Sequence, residues 1–405
     1  MVAYSSVFGD GRGRTHPKYA AVFNSSSTTF GYISIHDSEY LRRSRLVLNI
    51  CAVVMMLALP ACAQTDKAIE AAGSEMARHL PGIKIVNDFA PPGESNVRSS
   101  FGLADDVALI GTEETADIYK TVDAGRTWRK IVDGLDEWDI NDVRNFIRAK
   151  DGRLYATTTE PALVLRSEDE GESWSVVAKA RASRSVALTQ LDDGTILAGL
   201  RRSENGRISI IRSEDGFETF DWIALSDELP RQNVTCLIDL GGGVVLAGVG
   251  YEASGKLFKS TDAGKTWKQT ADFPDARDLM SFIRIGQRVY VTASGIATLY
   301  VSEDEGESWN KAHQVWEKGF LGESATFTRN GRTYYILSAT DQRAEIKRHV
   351  LLISVDAGAS WQEWIELAKD SSGGASNVTL VNENTLIVGT GNHSAQGHVY
   401  TLEIQ

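Results

Sequence analysis

The stretch DEWDINDVR places Asp136, Asp139 and Asp142 around Trp138 and ends on Arg144. An indole beside carboxylates suits a sugar, the ring stacking on its apolar face and the oxygens accepting hydroxyl protons. Trp316, in WEKGF, is expected in a second loop of the same kind. The competing reading makes each tryptophan part of a lid packed on its neighbour. Arginines supply a second chemistry. Arg98 and Arg144 open equivalent apolar runs, and Arg184, Arg201, Arg202 and Arg207 extend a basic patch on an acidic chain. Guanidinium groups so placed clamp a carboxylate or sulfate through paired N–H donors. Alternatively, they are neutralised by the many acids in the loops.

Other chemistries find less support. His313, His349, His393 and His398 show no zinc-ligand spacing, and no metal or cofactor is expected. The Asp-Gly pairs at 151–152 and 193–194 read as hairpin turns, too short for calcium loops. Of three cysteines only Cys236 lies in the body of the chain, flanked by apolar residues, and it is expected to be a small core residue. A formal net charge of −12 argues against a nucleic-acid partner, since phosphate binding wants a basic face.

What positions these residues is a repeat. SEDEGESW occurs twice, at 167–174 and 302–309, and the looser pattern S/T-x-D-x-G-x-S/T-W also fits TVDAGRTW (121–128), STDAGKTW (260–267) and SVDAGASW (354–361). A worn copy, SEDGFETF (213–220), fills the gap, so starts fall 46, 46, 47, 42 and 52 residues apart. A period in the forties signals stacked supersecondary units. Within one unit the runs 143–148, 154–157, 162–165 and 174–178 are rich in β-branched and aromatic residues and separated by turn signals. Four antiparallel strands repeated around an axis make a β-propeller, which leaves only short edges.

The tail adds three further runs, 377–381, 385–389 and 398–402, and IKIV at 83–86 supplies a fourth strand. The expected fold is therefore all-β: a seven-bladed propeller over 81–405, its ring closed by an N-terminal strand completing the last blade. Within each motif the glycine takes φ > 0 and the aspartate accepts backbone amides of its own turn. Asp123, Asp169, Asp215, Asp262, Asp304 and Asp356 are thus structural, and function is expected on the opposite face.

These motifs resemble the Asp-box, or BNR, repeat found in sialidases, sortilin-type receptors, xyloglucan-degrading hydrolases and a photosystem II assembly factor family. The resemblance covers nearly all of 80–405 and implies the fold; the families differ in function. A sialidase would also need an Arg-Ile-Pro motif, an arginine triad, an acid/base aspartate and a Tyr–Glu nucleophile pair. No arginine here precedes Ile-Pro. Tyr251 and Glu252 are adjacent, which puts them on opposite faces of a strand, and Asp136, Asp139 or Asp142 fit the acid by position alone.

The N-terminus carries an address. Residues 41–45 are basic, 46–59 almost wholly apolar, and LPAC at 59–62 resembles a bacterial lipoprotein box with Cys62 as lipid acceptor. ACA at 61–63 alternatively fits cleavage before Gln64. Residues 1–40 read as mis-annotated upstream sequence, 41–63 as the export signal and 64–80 as a linker. The expected protein is a monomer of the periplasm or outer membrane of a Gram-negative bacterium, touching membrane only through its lipid. It binds a glycan or protein through channel-mouth loops; the alternative is a sialidase-like glycoside hydrolase or a lyase acting on an anionic glycan.

Overall fold

Runs such as VALIGT, LYATTT and TLIVGTG are apolar or β-branched on both faces, the composition of strands covered on two sides. They form β5 (Val107–Thr112), β9 (Leu154–Thr159) and β27 (Thr385–Gly391), buried almost throughout. Outer runs such as RKIV and SVVAK carry charged or hydroxyl residues and form the exposed edge strands β7 (Arg129–Val132) and β11 (Ser175–Lys179).

The computed structural model describes residues 19–21, 32–34, 80–132, 138–203, 207–226, 232–250, 254–370, 374–391 and 396–405. The chain divides into two compact units, Met1–Leu80 and Pro81–Gln405. In the first, β1 (Tyr19–Ala21) and β2 (Tyr32–Ser34) pair antiparallel. The export signal and Cys62 lie outside the described residues.

The second unit is a succession of antiparallel meanders, with no α-helix among the described residues. β4 (Val97–Ala104), β5, β6 (Ile118–Thr121) and β7 form one four-stranded sheet. β8 (Asp142–Arg148), β9, β10 (Leu163–Ser167) and β11 form the next meander. It is followed by β12 (Ala182–Gln190), β13 (Ile196–Ser203), β14 (Ile208–Ser213) and β15 (Asp221–Ser226). Then come β16 (Asn233–Gly241), β17 (Val244–Gly250), β18 (Gly255–Ser260) and β19 (Lys268–Phe273). β20 (Asp278–Ile285), β21 (Arg288–Ser302), β22 (Asn310–Arg329), β23 (Arg332–Asp341), β24 (Lys347–Ser354) and β25 (Gln362–Asp370) make a six-stranded sheet. The last sheet pairs β26 (Gly374–Asn382), β27 and β28 (His398–Ile404) with β3 (Ile83–Phe89) from the start of the unit.

Each meander's first strand carries a bulge near its start, as at Val97/Ser99, Val143/Asn145 and Val234/Cys236. Beside it, side chains reach the next sheet. Ser99 donates to the Val143 carbonyl at 3.0 Å, Thr235 to Leu279 at 2.5 Å and Asn377 to Val97 at 2.9 Å. The apolar core likewise lies between sheets. Leu109 and Ile118 of one sheet pack with Val143, Leu154 and Leu163 of the next, all essentially inaccessible. Burying each such leucine stabilises the fold by about 1.5–3 kcal/mol.

The repeated corners are closed hydrogen-bond rings. In the first, Thr121 Oγ1 donates to Asp123 Oδ1 at 2.8 Å and accepts the Gly125 amide at 2.8 Å. Thr127 donates its amide to Oδ1 at 2.8 Å and its hydroxyl to Oδ2 at 2.6 Å. The same bonds recur around Asp169, Asp215, Asp262, Asp304 and Asp356. The glycine takes the left-handed conformation as expected, but so does the residue before it: Ala124 has φ 56° and Glu170 φ 58°. The worn copy inverts the pair, Gly216 coming first and Phe217 holding φ 68°, while its amide still reaches Ser213 Oγ at 2.7 Å.

Candidate functional site

At the end of the sheets opposite these corners, residues near or just past the end of three second strands pair with the start of the next meander. Glu113 bridges Asp142, Arg184 pairs with Thr159, and Arg201 pairs with Asn233. The sequence-predicted arginines are drawn to these junctions. Arg98, at the β4 bulge, is ion-paired to Glu113, which also accepts a bond from Asn96. Arg144, at the equivalent β8 bulge, spends Nε and Nη2 on Asp142, each at 3.0 Å. Asp142 is completely buried and takes a further bond of 2.5 Å from Thr159. Burial, then the charge of Arg144, bring the Arg98 guanidinium down to about 10, against the pull of Glu113 and Asp142. Two cations thus share one neighbourhood, each held by its own buried carboxylate. Arg184 pairs with Glu160 at 2.7 Å and stands opposite Arg201 in the β12–β13 ladder. Arg207 is exposed.

The other predicted residues separate. Trp138 is half-buried against the core and lies under the Lys179 ammonium, 5.3 Å from its ring. Asp139 is exposed with φ 49°. Asp136, Tyr251, Glu252 and His393 lie outside the described residues. Trp316 does not sit in a loop: β22 runs without a break from one meander's edge into the next meander's first strand, burying the indole in the core with Arg343 over it at 5.9 Å. The apolar pairs on either side of Glu-Lys-Gly, Val315 with Trp316 and Phe320 with Leu321, were the available signal.

Glu323, further along β22 at a bulge, keeps partial solvent access yet is enclosed enough that burial alone pushes its carboxyl up to about 8. Its backbone carbonyl accepts the Ser338 hydroxyl. Sequence reasoning missed Glu94, Glu113 and Asp117, loop acids with no periodic pattern to mark them. Cys236 is buried in the core, its thiol pushed up to about 12. Among the described residues no group of three or more His, Cys, Asp or Glu is arranged to hold a metal ion, and no helix is long and apolar enough to cross a membrane.

A cleft of about 460 Å³ opens at the corner end, not the expected one. It lies between the β4–β5 hairpin (Asp105, Asp106) and the β26–β27 hairpin (Glu383, Asn384), with Arg126 and Glu403 on its walls.

Comparison with known proteins bears on this geometry. A family model described as Sortilin, neurotensin receptor 3, matches residues 255–403. The photosystem II assembly lipoprotein Ycf48 of Trichormus variabilis is 28% identical over 174 residues, which is 42% of this chain and 46% of that protein. The chain thus aligns with under half the length of that relative. Among solved structures, YCF48 bound to D1 peptide superposes with a TM-score of 0.54 at 17% identity, covering 79% of this chain and 94% of that one. The GH74 xyloglucanase of Xanthomonas campestris superposes with a TM-score of 0.56 at 15% identity, covering 79% of this chain and 53% of that one. The chain has a β-propeller fold.

Proposed function

We propose that this chain is an exported binding module, a closed ring of seven Asp-box blades that holds an anionic group of a protein segment at Arg98 and Arg144. One observation carries the reading: two guanidinium groups at equivalent bulges of neighbouring first strands, close enough for Arg144 to depress Arg98. Carboxylate partners fix both without using every donor; no described residue partners Arg144 Nη1. Fixed guanidinium groups lose little freedom on meeting a carboxylate. Arg201 and Arg184 extend the positive surface.

Ring closure is supported by β3 completing the last sheet and by the Asn377–Val97 bond between last and first meanders. A protein ligand is favoured over a glycan because the sequence relative is an assembly protein and its structural counterpart carries a bound peptide. That relative is also a lipoprotein, which agrees with Cys62 as a lipid acceptor after the 41–63 signal. The test is calorimetry of residues 64–405 with a peptide library displayed as free C-terminal carboxylates and as amides. Carboxylate-dependent binding that Arg144→Ala abolishes supports the proposal; binding indifferent to both removes it.

A glycoside hydrolase or lyase acting on an anionic glycan is the second reading, favoured by Glu323, a carboxyl protonated at neutral pH as a general acid must be. It needs a second carboxylate roughly 5–9.5 Å away across one pocket. Asp142 is committed to Arg144 and Thr159. Turnover of sialoside or xyloglucan substrates by the wild type and not by Glu323→Gln would restore the enzyme.

A further inference from the structure

The loop that presents Glu113 to Arg98 has an anchor of its own. Residues 113–117 join β5 to β6, and both Glu114 (φ 80°) and Ala116 (φ 53°) take left-handed backbone angles. Such a loop persists only where its surroundings over-determine it. At its end Asp117, 1% exposed, accepts Lys130 Nζ at 2.8 Å and donates its amide to Thr112 Oγ1 at 3.1 Å.

Facing it is Glu94, also 1% exposed, on the connection from β3 to β4. Its Oε1 accepts the Thr115 hydroxyl, and its backbone carbonyl accepts the Gly397 amide at 2.8 Å. Next to it Ser95 donates to Glu114 at 2.8 Å, a second tie between connection and loop. Glu94 Oε2 is buried with no hydrogen-bond partner among the described residues, and the Asp117 carboxyl and the Thr112 hydroxyl lie beside this carboxyl. Two acceptors in contact repel; a proton between them makes a hydrogen bond. Burial, offset in part by Thr115 and reinforced by Asp117, pushes the Glu94 carboxyl up to about 7.

We infer that Glu94 and Asp117 are positioning residues for the Arg98 end of the ligand site, a proton on Glu94 joining the two carboxyls and pinning the 113–117 loop, and thereby Glu113, against Arg98. The inference rests on the proposed role of Arg98. The charged and titratable groups around the pair are Lys130 and Tyr119 beside Asp117, Glu113 and Glu114 in the loop, and Arg98 on β4. On the β28 side the His398–Asp88 pair adjoins Gly397. With the proton in place the loop is fixed. Once it is lost, Lys130 balances only one of two buried charges, the loop loosens, and Glu113 releases its hold on Arg98.

The sign follows from linkage. A carboxyl raised by folding binds more protons folded than open, so the pinning is complete below the open-state value, ~4.3, and lost as pH rises through the folded one. Hydrogen exchange of the full chain between pH 5 and 9, corrected for intrinsic chemistry, reads it directly. Protection of 90–98 and 113–117 is expected to fall by up to about tenfold per pH unit until near pH 7, then level off. The side-chain Nε–H signal of Arg98 should shift with the same midpoint. In Glu94→Gln, whose amide donates to Asp117 without titrating, both should be independent of pH; if that variant does not fold, Asp117→Asn, which removes the repulsion but keeps the buried Glu94 carboxyl, should move the midpoint to lower pH. A wild-type pH profile in either variant overturns the inference. So does an Arg98 signal that stays fixed while loop protection changes, which leaves the pair a structural one. No ligand enters these measurements, so failure of the binding proposal would show separately, in the calorimetry.

Discussion

Asn377 and Val97 are joined by a hydrogen bond of 2.9 Å that spans 280 residues of chain, the amide donating to the carbonyl. The other side of the same amide accepts Gly389 N–H at 3.1 Å, so Asn377 is buried and satisfied at both ends. Gly389 is required here, because a Cβ at that position would lie 2.6 Å from the Asn377 amide. Removing one partner of a buried pair leaves the other unsatisfied, at a cost of about 1–3 kcal/mol. Asn377→Ala should lower the unfolding free energy by that amount, read as a lower urea midpoint at unchanged slope. Gly389→Ala should do at least as much through overlap. Wild-type midpoints for both would mean that this seam contributes nothing.

The corners predict a different response to acid. The Ser308 hydroxyl and amide, with Ser302, hold the Asp304 carboxyl down to about 2. A depressed carboxyl contributes stability above its unfolded value, ~3.9, and loses it as pH falls through the folded one. Asp304→Ala should therefore be less stable than wild type at pH 7, by up to about 1 kcal/mol, since solvent screens charged hydrogen bonds at this exposed corner. The difference should shrink between pH 4 and pH 2, as followed by thermal unfolding at each pH. A gap that stays constant across that range would place the stabilisation elsewhere in the turn.

Period and composition made the strands and corners legible. A 46-residue repeat needs no tertiary information, and the glycine and aspartate of each corner serve contacts within eight residues. What escaped depends on register between distant segments. Nothing in the letters around Glu113 says that it will lie beside Arg98, or that Glu94 will face Asp117; both follow from bulges and loop ends that meet only in the folded sheet. Trp316 was misplaced for a related reason, since a tryptophan followed by Glu-Lys-Gly reads as a loop residue until β22 is seen to run through it. Phe217 shows a corner tolerating the wrong letter: its ring is buried against Tyr155 and Phe220, and that packing offsets a backbone angle costly for a side chain.

Cys236 should be inert in the native protein. It is buried under Gly248 and Leu279, and the thiol form is favoured up to about pH 12, while the thiolate is the nucleophile. An aromatic disulfide reagent at pH 8 should release no thiolate from residues 64–405 until denaturant is added, when one equivalent should appear. Rapid native labelling would show that the β16–β17 region opens without global unfolding.

Glu323 offers the sharpest separation of structure from function. Its carboxyl is raised to about 8 by burial alone, so it is neutral at pH 7 and its ionisation is opposed by the fold. The same linkage makes its contribution complete below ~4.3 and lost as pH rises through about 8. Glu323→Gln keeps shape and hydrogen-bonding capacity but cannot ionise. Its melting temperature should match wild type near pH 4, exceed it increasingly up to about pH 8 and keep that lead above it. Because Glu94 titrates in both proteins, only the difference between them reports on Glu323. Identical pH profiles would mean that the carboxyl is solvated well enough to ionise normally, and would remove the observation that favours acid catalysis.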